Sequence, residues 1–164
     1  VKLKPVTLVF VVLAAGALYG FYGWWTSDER QLRRQLGELE ASIEKSGEES
    51  NLAAVDRARR LTGLLAERFT VVLEPYAGSV SDRGELQRLF FAYRSGYDTI
   101  SADFDAEEIE IDPVARIANM KVEAVLLGQR KGGGPGREGY RLVLRWVENG
   151  GDWQLERVEL AEIR

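Results

Sequence analysis

Apolar and small side chains fill Val6 to Trp25 without one charge among them, and beyond Trp25 they recur only at intervals. At 1.5 Å rise per residue the first stretch makes a helix about 30 Å long, the thickness of a bilayer's hydrocarbon core, so the pattern predicts a transmembrane helix. Lys2 and Lys4 precede the run, and Asp28 and Glu29 follow it. Positive charge on the short side predicts a cytoplasmic amino terminus in a bacterial inner membrane, with an extracytoplasmic carboxyl-terminal part. Tyr19, Tyr22, Trp24 and Trp25 crowd the far end of the run, where amphipathic rings favour the headgroup region. The competing reading is a cleaved signal peptide with its apolar core at Val6 to Ala14 and a cut at Ala15-Gly16-Ala17. Continuation of the apolar run to Trp25 favours the uncleaved anchor.

From Thr26 the pattern turns amphipathic. Thr26 with Glu29 three residues on reads as a capping box, and the helix it starts runs to about Lys45, where Ser46-Gly47 stops it. Its apolar residues Leu32, Leu36, Leu39 and Ile43 are spaced 4-3-4, two heptads of an a/d seam. This seam either pairs two copies as a juxtamembrane coiled coil or packs a single helix on its own domain. Leu52 to Arg68 is a second helix with Val55, Ala58, Leu61 and Leu65 on one stripe. Phe69 to Glu74 reads as a short strand closed by Pro75 and Gly78. Ser81 or Asp82 caps a third helix to about Gly96, whose face carries Leu86, Leu89, Phe90, Tyr93 and Tyr97. From Ile100 the period changes to two, through Ile109 and Ile111, Met120 to Leu126, Tyr140 to Trp146, and Trp153 to Leu160. Parity switches near Ala118-Asn119 and between Leu155 and Val158 predict β-bulges that bend an antiparallel sheet. Lys131-Gly132-Gly133-Gly134-Pro135-Gly136-Arg137 leads into a strand rather than a helix, so it is a hairpin tip and not a phosphate loop. Asn149-Gly150 supplies the last turn. The boundaries that result are a head at 1–5, a membrane helix at 6–25, a juxtamembrane helix and hinge at 26–50, and one α+β domain at 51–164.

That order of elements resembles the cone-shaped nuclear transport factor 2-like (SnoaL-like, cystatin-like) domains. The resemblance lies in Leu65 to Leu73, Asp82 to Tyr93, Val114-Ala115-Arg116-Ile117, Leu142 to Trp146, and the closing Gly151-Asp152-Trp153-Gln154-Leu155-Glu156-Arg157-Val158. It covers residues 52–164 and implies helices packed on a curved, mostly antiparallel sheet. No catalytic motif of the family falls on this chain, so no catalytic residue is carried over. With its anchor the chain also resembles the bitopic scaffold proteins of type IV secretion machines. The alternative architecture is the ferredoxin-like module of pilus and secretion alignment complexes, which alternates strands and helices.

Composition narrows the chemistry. The 164 residues contain no cysteine and no histidine, which removes disulfides, a lipoprotein anchor, histidine general bases and the common zinc ligand set. No metal or cofactor is expected. Removing Lys2 and Lys4 from the net charge of −4 leaves −6, the wrong sign for a nucleic-acid partner. The first expectation is therefore a non-catalytic scaffold or interaction module on the membrane. Its expected partners are a second copy or a membrane protein, through Gly16, Gly20, Leu32, Leu36, Leu39 and Ile43. The alternative is a binder of a small hydrophobic ligand, or a weak acid/base enzyme, that uses the cone with Tyr76, Tyr93, Tyr97, Asp98 and Asp103. An enclosed cavity in which a carboxylate faces a tyrosine hydroxyl distinguishes the second from the first.

Overall fold

The computed structural model describes residues 5–73 and 78–163. Helix α1 (Pro5–Ile43) is continuous, so the capping box at Thr26 starts no new helix. Among the described residues no helix is long and apolar enough to cross a membrane. This overturns the expected single-pass inner-membrane placement with an extracytoplasmic domain. Within the apolar run the described side chains are those of 13–23, which span roughly 16 Å of helix, about half a bilayer core. They include Gly16, Gly20 and Gly23 together with Tyr19 and Tyr22, and they are exposed.

The second half of α1 belongs to the domain. Leu32, Leu36 and Leu39 are buried in the common core, Ile43 is half-buried, and Leu32 is fully buried. Each leucine removed from water in this way contributes about 2 kcal/mol. The 4-3-4 seam is thus occupied by the chain's own sheet and α2 and is not open for pairing. The single amphipathic helix packed on its own domain is what forms.

Helix α2 (Asn51–Gly63) is capped by Ser50, whose side chain accepts from Ala53 N. It ends five residues before Arg68, because Leu65 already belongs to strand β1 (Leu65–Val72). A two-residue β2 (Ser79–Val80) follows, then α3 (Arg83–Ser95) behind its N-cap Asp82. Four consecutive long strands close the chain: β3 (Tyr97–Asp112), β4 (Ile117–Arg130), β5 (Pro135–Asn149) and β6 (Asp152–Ile163). The ferredoxin-like alternation of strands and helices is absent from this order.

The sheet runs β2-β1-β6-β5-β4-β3, with β1 parallel to β6 and the other neighbours antiparallel. The bulge expected beyond Leu155 lies there, where Arg145 pairs with Arg157 but Trp146 pairs with Leu155. The bulge expected at Ala118-Asn119 does not form, since Ile111, Glu110 and Ile109 pair in unbroken register with Ala118, Asn119 and Met120. Ala115 sits in the turn before β4, so the buried parity Ala118, Met120, Val122, Ala124 has no earlier phase to switch from. Beyond Asn149 the turn itself consists of Gly150 and Gly151, both at positive φ. Trp146, Trp153, Met120, Leu144 and Leu155 fill one end of the concave face with α1 and α2.

Candidate functional site

The other end of the concave face is hollow. A cavity of about 670 Å³ lies between the ends of β1 and α3 and the inner face of β3 to β6. Val72, Leu73, Leu142, Val158 and Leu160 make its apolar wall, and Tyr93, Tyr97, Arg130, Glu138 and Tyr140 make a polar end. Alternation along β5 puts Glu138, Tyr140 and Leu142 on the same side, and the Tyr97–Arg130 pairing brings β3 and β4 to that end.

Glu138 is the centre of the polar end. Tyr97 Oη donates to its Oε1 at 3.1 Å, Tyr140 Oη donates to Oε2 at 2.6 Å, and Arg130 Nη2 reaches Oε1 at 3.1 Å. The Tyr140 hydrogen bond, followed by those from Arg130 and Tyr97, holds the Glu138 carboxyl below its ordinary range despite partial burial. The Arg130 guanidinium also lies 5.7 Å from the centre of the Tyr97 ring. Tyr93 packs on Tyr97 with ring centres 5.0 Å apart. Burial and then the Glu138 charge push the Tyr93 phenol well above its ordinary value, so it remains protonated.

Of the candidates named from sequence, Tyr93 and Tyr97 line the cavity together. Asp98 and Asp103 are exposed and are not among its lining residues. Tyr76 lies outside the described residues. Gly16 and Gly20 are on exposed α1, with nothing within 4 Å of a Cβ placed at either. The sequence does not put Glu138, Arg130 or Tyr140 among the pocket candidates: Arg130 reads as the basic flank of the hairpin tip and Tyr140 as a strand residue, although the inward parity of Tyr140, Leu142 and Leu144 extends back to Glu138. Among the described residues no cluster of acidic side chains has the arrangement of a metal site.

No family model matches the chain, and no curated protein does. Solved structures do match. A proposed scytalone dehydratase from Novosphingobium aromaticivorans aligns with a TM-score of 0.66 at 15% identity, over 85% of this chain and 87% of that one. A proposed dehydratase of the nuclear transport factor 2-like family from Streptomyces avermitilis gives 0.64 at 12% identity, over 82% and 96%. A hexachlorocyclohexane dehydrochlorinase gives 0.62 at 10% identity, over 85% and 88%. At these identities the likeness is one of fold: helices packed on a curved mixed sheet, the cone of the nuclear transport factor 2-like proteins.

Proposed function

We propose that the cone binds a small, largely apolar molecule. The observation that carries this reading is the cavity itself, whose 670 Å³ falls within the range of small-molecule sites and whose apolar wall ends in one polar cluster. Solved structures of this fold that are named for dehydratase or dehydrochlorinase activity on small molecules support it. A scaffold role on a membrane has no comparable support.

A second reading, acid/base chemistry on the bound molecule, draws on the same neighbours. Here the titrating groups are badly poised for it. Glu138 is held ionised by three donors and is a weak base, while Tyr93 holds its proton too tightly to be an effective acid near neutral pH. Binding without turnover is the better account. The test is titration of the full chain with a neutral apolar fluorophore such as N-phenyl-1-naphthylamine, alongside Val158→Trp, which projects an indole into the cavity from β6. Saturable binding that Val158→Trp abolishes, in a variant that melts cooperatively, is the expected result. Unaltered binding in that variant would place the fluorophore elsewhere and defeat the proposal.

A further inference from the structure

The charges around the cavity go further and point to the class of ligand. Among the described residues three charged side chains line it: Arg130, Arg137 and Glu138. Arg130 and Glu138 are paired at 3.1 Å, and Glu138 receives two phenol hydrogen bonds in addition, so its negative charge is compensated within the protein. Among the described residues Arg137 forms no ion pair, and it is exposed. Among the described residues the polar end therefore carries one positive charge beyond the Arg130–Glu138 pair. Arg137 precedes Glu138 in β5, so alternation turns it away from the inner face, and it meets the cavity at the exposed rim of that polar end. The phenol of Tyr93, kept protonated by its surroundings, lies at that end too.

Resting on the cavity reading above, we propose that the preferred ligand is an apolar monoanion of the carboxylic acid class. Its hydrocarbon part lies along Val72, Leu73, Leu142, Val158 and Leu160, and its carboxylate lies at the rim by Arg137. An ammonium head would meet two guanidinium groups and a carboxylate already satisfied by its own donors. A neutral alcohol would bind through the wall alone, without the charge-assisted hydrogen bonds that a guanidinium gives a carboxylate.

Calorimetric titration of the full chain with 1-naphthaleneacetate, 2-(1-naphthyl)ethanol and 1-naphthylmethylammonium at pH 7.5 tests this with one ring system and three heads. The acid is expected to bind severalfold tighter than the alcohol and about tenfold tighter than the ammonium. Arg137→Gln should bring the acid to the level of the alcohol, and Arg137→Lys should restore part of the difference. Val158→Trp should remove binding of all three. If the three bind equally, or Arg137→Gln changes nothing, the anion preference is wrong while the cavity reading stands. If none binds, the cavity reading falls and this inference with it.

Discussion

Glu138 is the residue on which the polar end is built, and its ionisation leaves a mark on stability. Its folded pKa lies below the unfolded value of about 4.3. The contribution of the charged form is therefore complete above that unfolded value and is lost as pH falls through the folded one. The stability difference between the parent and Glu138→Gln is expected to be constant from pH 7 to about 5 and to close below about pH 4, as followed by urea denaturation across that range. A difference that instead grew on acidification would mean that the carboxylate is not held ionised. Gly128, the partner of Gly136 across β4 and β5, governs the same cluster from below. A Cβ at this position would lie 2.6 Å from Tyr97 Cδ1 and 2.7 Å from Cε1. Gly128→Ala must lift the ring away from its place beside Glu138. Thermal denaturation should show a loss of about 1–2 kcal/mol, the ordinary cost of overpacking, and affinity for an apolar fluorophore should fall in step.

Among the elements, α3 is fixed at both ends by arginines that serve other helices. Arg83 Nη1 donates to Thr62 O at the end of α2 at 2.9 Å, and its Nη2 donates to Ala66 O at 2.9 Å and Leu65 O at 3.1 Å. Arg94 is buried; its Nη1 donates to Ile43 O at 2.6 Å and Glu44 O at 2.7 Å, where α1 ends, and its Nη2 pairs with Glu49 at 2.5 Å. Lys45 returns the arrangement: its Nζ donates to Arg94 O and Tyr97 O, and its backbone bridges Ile100. Cations at helix carboxyl ends meet the orphan carbonyls and the negative end of the dipole. Because Tyr93 and Tyr97 flank Arg94, this contact also fixes the tyrosine wall of the cavity. Arg94→Met is expected to cost about 2 kcal/mol, since it leaves the last carbonyls of α1 without their buried donor, while Arg57 still pairs with Glu49 at 2.8 Å. Arg94→Lys should recover less than half, because one ammonium cannot span that set. Urea midpoints of the two variants decide it, and an Arg94→Met variant as stable as the parent would show the buried pair to be dispensable.

At the scale of the whole molecule, the second half of α1 is a wall of the domain. Trp153 Nε1 donates to Asp28 at 3.4 Å, and the Phe104 backbone N–H donates to Glu40 Oε2 at 2.9 Å, so α1 is tied to β6 and β3 as well as packed on them. Leu36→Ala should therefore lower unfolding stability by about 3 kcal/mol at every protein concentration. Unchanged stability with a concentration-dependent sedimentation coefficient would return the leucines to a pairing role.

The sequence by itself determined the strands after Ile100, a cap at Ser81 or Asp82, the bend beyond Leu155 and Tyr93 on α3, but it put Tyr97 on that helix too, where the structure makes it the first residue of β3. What it determined depends on local periodicity and short-range hydrogen bonding, which a linear pattern carries. It also determined that no histidine or cysteine chemistry is available. Only the tertiary structure decided what the 4-3-4 leucines face, because a helix packed on a sheet and a helix packed on its twin demand the same spacing. The same holds at Ala115, where alternation cannot tell a turn residue from the first residue of a strand. The polar cluster was legible in its tyrosines and hidden in its centre: Glu138 is one of many acidic residues, set apart only when the β4–β5 register and Tyr97 bring Arg130 and two phenols to its oxygens.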